Sequence, residues 1–179
     1  LVALRRAADP VRCTLEGVVA RRMHAAVAPF AVDHFITPMA AVAGSVSDEI
    51  VDFYRTAGVR RAAINNGGDI ALHLEAGERM RIAVVPDISD PHAAHDPGKR
   101  LHLNIDAANP VRGVATSGWP GRSFSLGIAD SVTILALTAA QADAAATAVA
   151  NAVNVDHPLV VRRPARELQP DSDLGDRLV

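Results

Sequence analysis

The spacing of apolar positions changes twice along the chain, and the changes divide it into a helical, a sheet-forming and a second helical region. Asp9-Pro10 reads as the cap and first residue of a helix running to about Ala28, with Leu15, Val18, Val19 and Met23 on its apolar side. Pro29 to Thr37 is a connector. Pro38 opens a second helix, Met39 to about Ala57, closed by Gly58. Its first half, Met39-Ala-Ala-Val-Ala-Gly44, is small and apolar and suits burial against a sheet. Its second half carries Asp48, Glu49, Asp52 and Arg55 and should face water in part.

From Arg60 the period shortens to that of strands. Arg61 to Asn65 and Asp69 to Leu74 flank an Asn66-Gly67-Gly68 turn. Arg79 to Val85 alternates well and is expected to pair with the preceding strand across the turn Glu75-Ala-Gly-Glu78. Arg100 to Ile105, Arg112 to Ser117, Arg122 to Leu126 and Ser131 to Leu137 read as further strands, and Leu159-Val160-Val161 as one more. Pro86 to Gly98 is a polar loop. The period then returns to that of a helix. Thr138, with Gln141 three residues later, is a capping-box signature ahead of an alanine-rich run. Short strands in a run, with helices in blocks, predict an α+β fold with a mainly antiparallel sheet backed by helices.

Composition narrows the function classes. The 179 residues are 49% hydrophobic, mostly Ala and Val, which is enough for one sizeable core and points to a single domain. Aromatics make up 3% and the net charge is −2, so neither a base-stacking surface nor a basic patch for nucleic acid is expected. Cys13 is the sole cysteine, which excludes an intrachain disulfide and a multi-cysteine zinc site. Without a transmembrane run or a signal peptide the expectation is a cytoplasmic protein with no membrane partner, while a chain that opens on Leu1 leaves an earlier targeting segment open.

Three places carry candidate chemistry. Asp143 and Thr147 lie one turn apart on the alanine-rich helix and are the only polar side chains between Gln141 and Asn151. A carboxylate and a hydroxyl there suit a hard cation such as Mg²⁺ or Ca²⁺. The alternative is an Asp favoured by the helix dipole and a Thr bonded to its own helix. Asn65-Asn66-Gly67-Gly68-Asp69 is a hairpin turn, or a loop whose bare amides approach a ligand with Asp69 as acceptor. Thr116-Ser117-Gly118-Trp119-Pro120-Gly121-Arg122 is a type II turn, or a phosphate loop with Arg122 as its cation and Trp119 as a stacking ring. His92, His95 and Asp96 read as a solvated loop rather than a metal site. Asp171-Ser-Asp173-Leu-Gly-Asp176 reads as a polar turn, since the Gly at the required position and the terminal Glu of a calcium loop are missing.

Taken in order, Ile64-Asn-Asn-Gly-Gly-Asp-Ile70, Ala115-Thr-Ser-Gly118, and Ser131-Val-Thr-Ile-Leu with Ala142-Asp143-Ala-Ala-Ala-Thr147 resemble the ApbE superfamily, whose characterised members are FAD:protein FMN transferases. The blocks Pro38 to Gly44, Ser123 to Asp130 and Asp171 to Gly175 bring the chain closer to a short, uncharacterised branch of that superfamily. The resemblance implies a T-fold-like α+β domain. It also implies Mg²⁺ at Asp143 and Thr147, and an FAD or FMN pocket at Asn66, Gly67, Gly68, Asp69, Thr116, Ser117, Gly118 and Arg122. Two departures bear on activity. The transferases' His-Ile-Ile-Asp-Pro-type segment is replaced by Ser123 to Asp130, and their early Lys-Gly by Ala43-Gly44. The expectation is a pocket for a small anionic or nucleotide-type ligand, with FMN transfer weak or lost. An active Mg-dependent flavin or phosphoryl transferase and a non-catalytic structural module are the alternatives.

Overall fold

The computed structural model describes residues 1–84, 101–121 and 123–179. Helices α1 (Val18–Val27) and α2 (Val42–Asp52) come first, α2 preceded by a 3-10 turn over Pro38–Ala41. Six strands follow: β1 (Arg61–Asn66), β2 (Asp69–Leu74), β3 (Arg79–Val84), β4 (Leu101–Asp106), β5 (Gly113–Ser117) and β6 (Val132–Ala136). Helix α3 (Ala139–Ala152) and a short α4 (Ala165–Leu168) complete the described elements. The strands form a four-stranded sheet in the order β1-β2-β5-β6 and a two-stranded ribbon, β3-β4. Every pairing among the described strands is antiparallel, so the α+β class holds.

Alternation along the central strands assigns their two faces. Leu72, Leu74 and Val114 pack with Ile82 and Ile105 of the ribbon. Their neighbours point the other way, Ala71 against Val51 and Ala139, and Ala115 against Ala142 and Ala146. The helix-facing layer is therefore built of small side chains, and this brings α2 and α3 close to the sheet. The two helices also approach each other closely. A Cβ on Gly44 would lie 2.3 Å from the Ala139 carbonyl oxygen, so only glycine fits at this crossing.

Several expected elements differ. The first helix begins at Val18 because Asp9 Oδ1 accepts from the N–H groups of Val11 and Arg12, closing a local turn instead of capping a helix. The second stops at Asp52, not Ala57, since the next side chains, Phe53 and Tyr54, are exposed and offer no apolar face to bury. β3 pairs with β4 and not with β2, whose two edges are taken by β1 and β5. The described part of 122–126 is a loop, because Leu126 N–H bonds the Asn151 side chain instead of a neighbouring strand. Leu159 and Val161 are largely exposed, with no strand beside them. The hairpin at Gly67-Gly68 forms as expected, with φ of 70° and 114°.

Candidate functional site

The β1–β2 hairpin, the end of β5 and one face of α3 open onto a cavity of about 800 Å³, within the range of small-molecule sites. The hairpin contributes Gly67, Gly68 and Asp69. Its geometry is fixed locally, by Asn65 Oδ1 accepting from Gly68 N–H at 2.8 Å. Asp69 follows directly, and its carbonyl accepts from Ser47 of α2. Asn66 turns away from the cavity lining, with Nδ2 donating to the Ala43 carbonyl at 3.4 Å. Thr116, Ser117 and Gly118 continue β5 into the same cavity, where Thr116 shares a 2.8 Å hydroxyl–hydroxyl bond with Thr133 of β6. The hairpin loop and the end of β5, distant in sequence, thus line one cavity.

Helix α3 supplies Asp143 and Thr147. Its N-terminus is held twice. Thr138 Oγ1 accepts from Gln141 N–H at 3.2 Å, as the capping signature predicts. The second hold has no local signal. The Asp48 carboxylate, reaching from α2, accepts from Ala139 N–H at 3.0 Å and from Ala140 N–H at 2.9 Å. Asp48 is therefore buried and does not face water as its half of the helix suggested. Glu49 and Asp52 do remain at the surface, paired with Arg22.

Asp143 Oδ2 accepts from Gly44 N–H at 3.0 Å. Burial disfavours its charged form, and the negative charge of Asp69 adds to this, while the Gly44 and Ala43 N–H groups offset part of the effect. The result is a pKa raised from 3.8 to about 8. Burial first, and the Asp69 charge second, thus move the Asp143 carboxyl into the neutral range. Among the described residues no group of three or more His, Cys, Asp or Glu side chains is placed to hold a metal. A pair of carboxylates with a hydroxyl one helical turn away is still an oxygen donor set of the kind Mg²⁺ takes when phosphate and water fill its other positions.

Other candidates fall elsewhere. Arg122, His92, His95 and Asp96 lie outside the described residues. Trp119 is 58% exposed, donates from Nε1 to Asp130 at 3.0 Å and is absent from the cavity lining, so it is no stacking ring for this cavity. The Asp171–Asp176 stretch is a turn, as expected, and its Asp171, Ser172 and Asp173 also line the cavity. Sequence reasoning missed Asn151, Phe124 and this C-terminal wall. Asn151 had a visible signal, being a polar residue in the spacing 143, 147, 151, and Phe124 and the wall fall within the Ser123 to Asp130 and Asp171 to Gly175 blocks that carried the resemblance.

An α+β domain with a carboxylate-lined cavity is the class that fold and site define. A family model described as AbpE bacteria matches residues 1–179, and the chain belongs to that family. The chain is 38% identical over 165 residues to a UPF0280 protein of Methanopyrus kandleri, covering 90% of this chain and 61% of the relative. It is also 38% identical over 125 residues to a UPF0280 protein of Methanothrix thermoacetophila, covering 69% and 49%. A UPF0280 protein of Methanosarcina acetivorans is 40% identical over 121 residues, covering 67% and 44%. The chain thus spans about half the length of these curated relatives. No helix among the described residues is long and apolar enough to cross a membrane.

Proposed function

We propose that the cavity takes a small anionic or nucleotide-type ligand, a flavin nucleotide being the leading case, together with a divalent cation at Asp143. The carrying observation is the Asp143–Asp69 pair. Burial and the neighbouring charge leave Asp143 protonated at neutral pH, and a cation that replaces the proton relieves both. The charge of the lining points the same way. Among the described residues it holds five aspartates, Asp69, Asp130, Asp143, Asp171 and Asp173, against Arg5. An anion entering such a cavity needs a positive counterion. Asp143 with Asp69 would hold the cation and Thr147 would complete the set, while the Gly67-Gly68 turn, with open space beside Gly68, admits a ligand closely. A bound Mg²⁺ would supply charge neutralisation at a phosphate oxygen.

The ApbE resemblance supports the same cation position and the flavin. Transfer of FMN to an acceptor is a separate matter. Where the transferases carry Lys-Gly this chain has Ala43-Gly44, and both residues are committed to packing: Ala43 accepts from Asn66, and Gly44 donates to Asp143. We therefore propose a ligand-binding protein with weak or no flavin transfer. The test is calorimetric titration of FMN with and without Mg²⁺, alongside Asp143→Asn, which keeps the shape of the protonated acid. Binding that requires Mg²⁺ and is lost in the variant is the expected result. Binding indifferent to Mg²⁺, or no binding to the wild type, rejects the reading. A variant that loses stability but binds as before assigns Asp143 a purely structural role.

A further inference from the structure

The geometry points to Phe124 as the stacking platform for a planar ring on the ligand, a subsite that rests on the proposed reading of the cavity and extends it. The chain has one Trp, one Tyr and four Phe, so an exposed ring in its cavity is a notable use of a scarce residue. Phe124 is 36% exposed and lines the cavity. It sits in a loop that is not free to move away. Asn151 Oδ1 accepts from Leu126 N–H at 2.9 Å and from the Ser125 hydroxyl at 3.1 Å, and Ser125 Oγ accepts from Gly127 N–H at 3.0 Å. The residue that pins the loop therefore lies on the α3 stripe that carries Asp143 and Thr147. Asn151 is eight residues beyond Asp143, about 12 Å along the helix axis. A mononucleotide with its phosphate near Asp143 and laid along that stripe would bring its ring to the loop that Asn151 holds, which carries Phe124.

Phe35, the other phenyl ring of the lining, is a poorer platform. The Arg177 guanidinium already lies 3.3 Å from its centroid. Among the described residues no cation lies over Phe124, and a ring laid on it removes apolar surface from water on both sides. The chemical class this selects is a flat heterocycle attached to a phosphate through a short polar linker.

The experiment compares FMN and AMP, which carry such rings, with ribose 5-phosphate, which does not, each titrated in Mg²⁺ against wild type, Phe124→Ala, Phe124→Tyr and Trp119→Ala. The expected result is a loss of roughly tenfold in affinity for FMN and AMP in Phe124→Ala. Ribose 5-phosphate should be unaffected, Phe124→Tyr should restore ring binding, and Trp119→Ala should change nothing. An equal loss for ribose 5-phosphate would show that Phe124 only shapes the loop and would overturn the subsite. Wild type that binds ribose 5-phosphate as tightly as FMN and AMP would overturn it too, leaving the anion-and-cation reading intact. Wild type that binds none of the three rejects both.

Discussion

At the scale of single residues, Asp143 makes the most testable statement. Its carboxyl keeps a proton in the folded chain up to about pH 8 and loses it near 3.8 when unfolded. Between those values the native state binds the extra proton, so stability falls as pH rises across that window. Urea denaturation of metal-free protein should show this decline between about pH 4 and pH 8, and Asp143→Asn should flatten it. A wild-type profile as flat as that of the variant would contradict the assigned protonation. The same proton governs cation binding. Below about pH 8 a cation must displace it, so affinity should increase with pH up to that point. Sequence spacing found Asp143 and Thr147, because two polar side chains stand out on an alanine helix. It gave no view of the burial, nor of the Asp69 charge 74 positions away, that together make Asp143 unusual.

At the scale of elements, α3 shows how one helix end can be set by two kinds of cap. Thr138 is a local cap and was readable from its distance to Gln141. Asp48 is a tertiary cap, buried against the first two amides of α3. The two should differ in cost. Thr138→Ala removes a partly solvated cap and should lower stability by about 1 kcal/mol. Asp48→Ala leaves two buried N–H groups without acceptors and should cost about 2–4 kcal/mol. Chemical denaturation of the two variants measures the difference, and equal losses would mean that water or a shifted side chain replaces the Asp48 carboxylate. The partner of β3 was misread for a related reason. The short turn after β2 favours a local hairpin, but the edge of β2 is more stably filled by β5, whose far edge then takes β6.

At the scale of the whole molecule, the two ends of the chain meet beside the cavity. Thr37 Oγ1 donates to Asp173 Oδ2 at 2.9 Å, Arg5 donates to the Asp171 carbonyl at 3.1 Å, and Arg177 lies over the Phe35 ring. Within the C-terminal segment itself, Arg163 and Val179 exchange backbone hydrogen bonds, which gives the wall some stiffness. Thr37 is buried, so loss of its acceptor leaves an unpaired hydroxyl. Asp173→Ala should speed hydrogen exchange in residues 163–179 by about tenfold, a local destabilisation near 1.4 kcal/mol, with little change in α3. Unchanged exchange in that segment would show that the Arg5 and Arg177 contacts hold the wall alone.

The sequence by itself determined the class of fold, all six described strands to within a residue or two, the hairpin at Gly67-Gly68 and the start of α3. These follow from local rules: alternation, positive φ at glycine and a hydroxyl three residues ahead of an amide. The partners of β3 and β4, by contrast, were decided only when the whole sheet was assembled. Tertiary structure alone decided that Asp48 is buried, that Asn151 ties down the Phe124 loop, and that Asp171 and Asp173 form a wall of the cavity. The physical reason is common to all of these. Each depends on a polar group finding its partner across a long stretch of chain, and that choice is made by packing geometry rather than by the residues on either side.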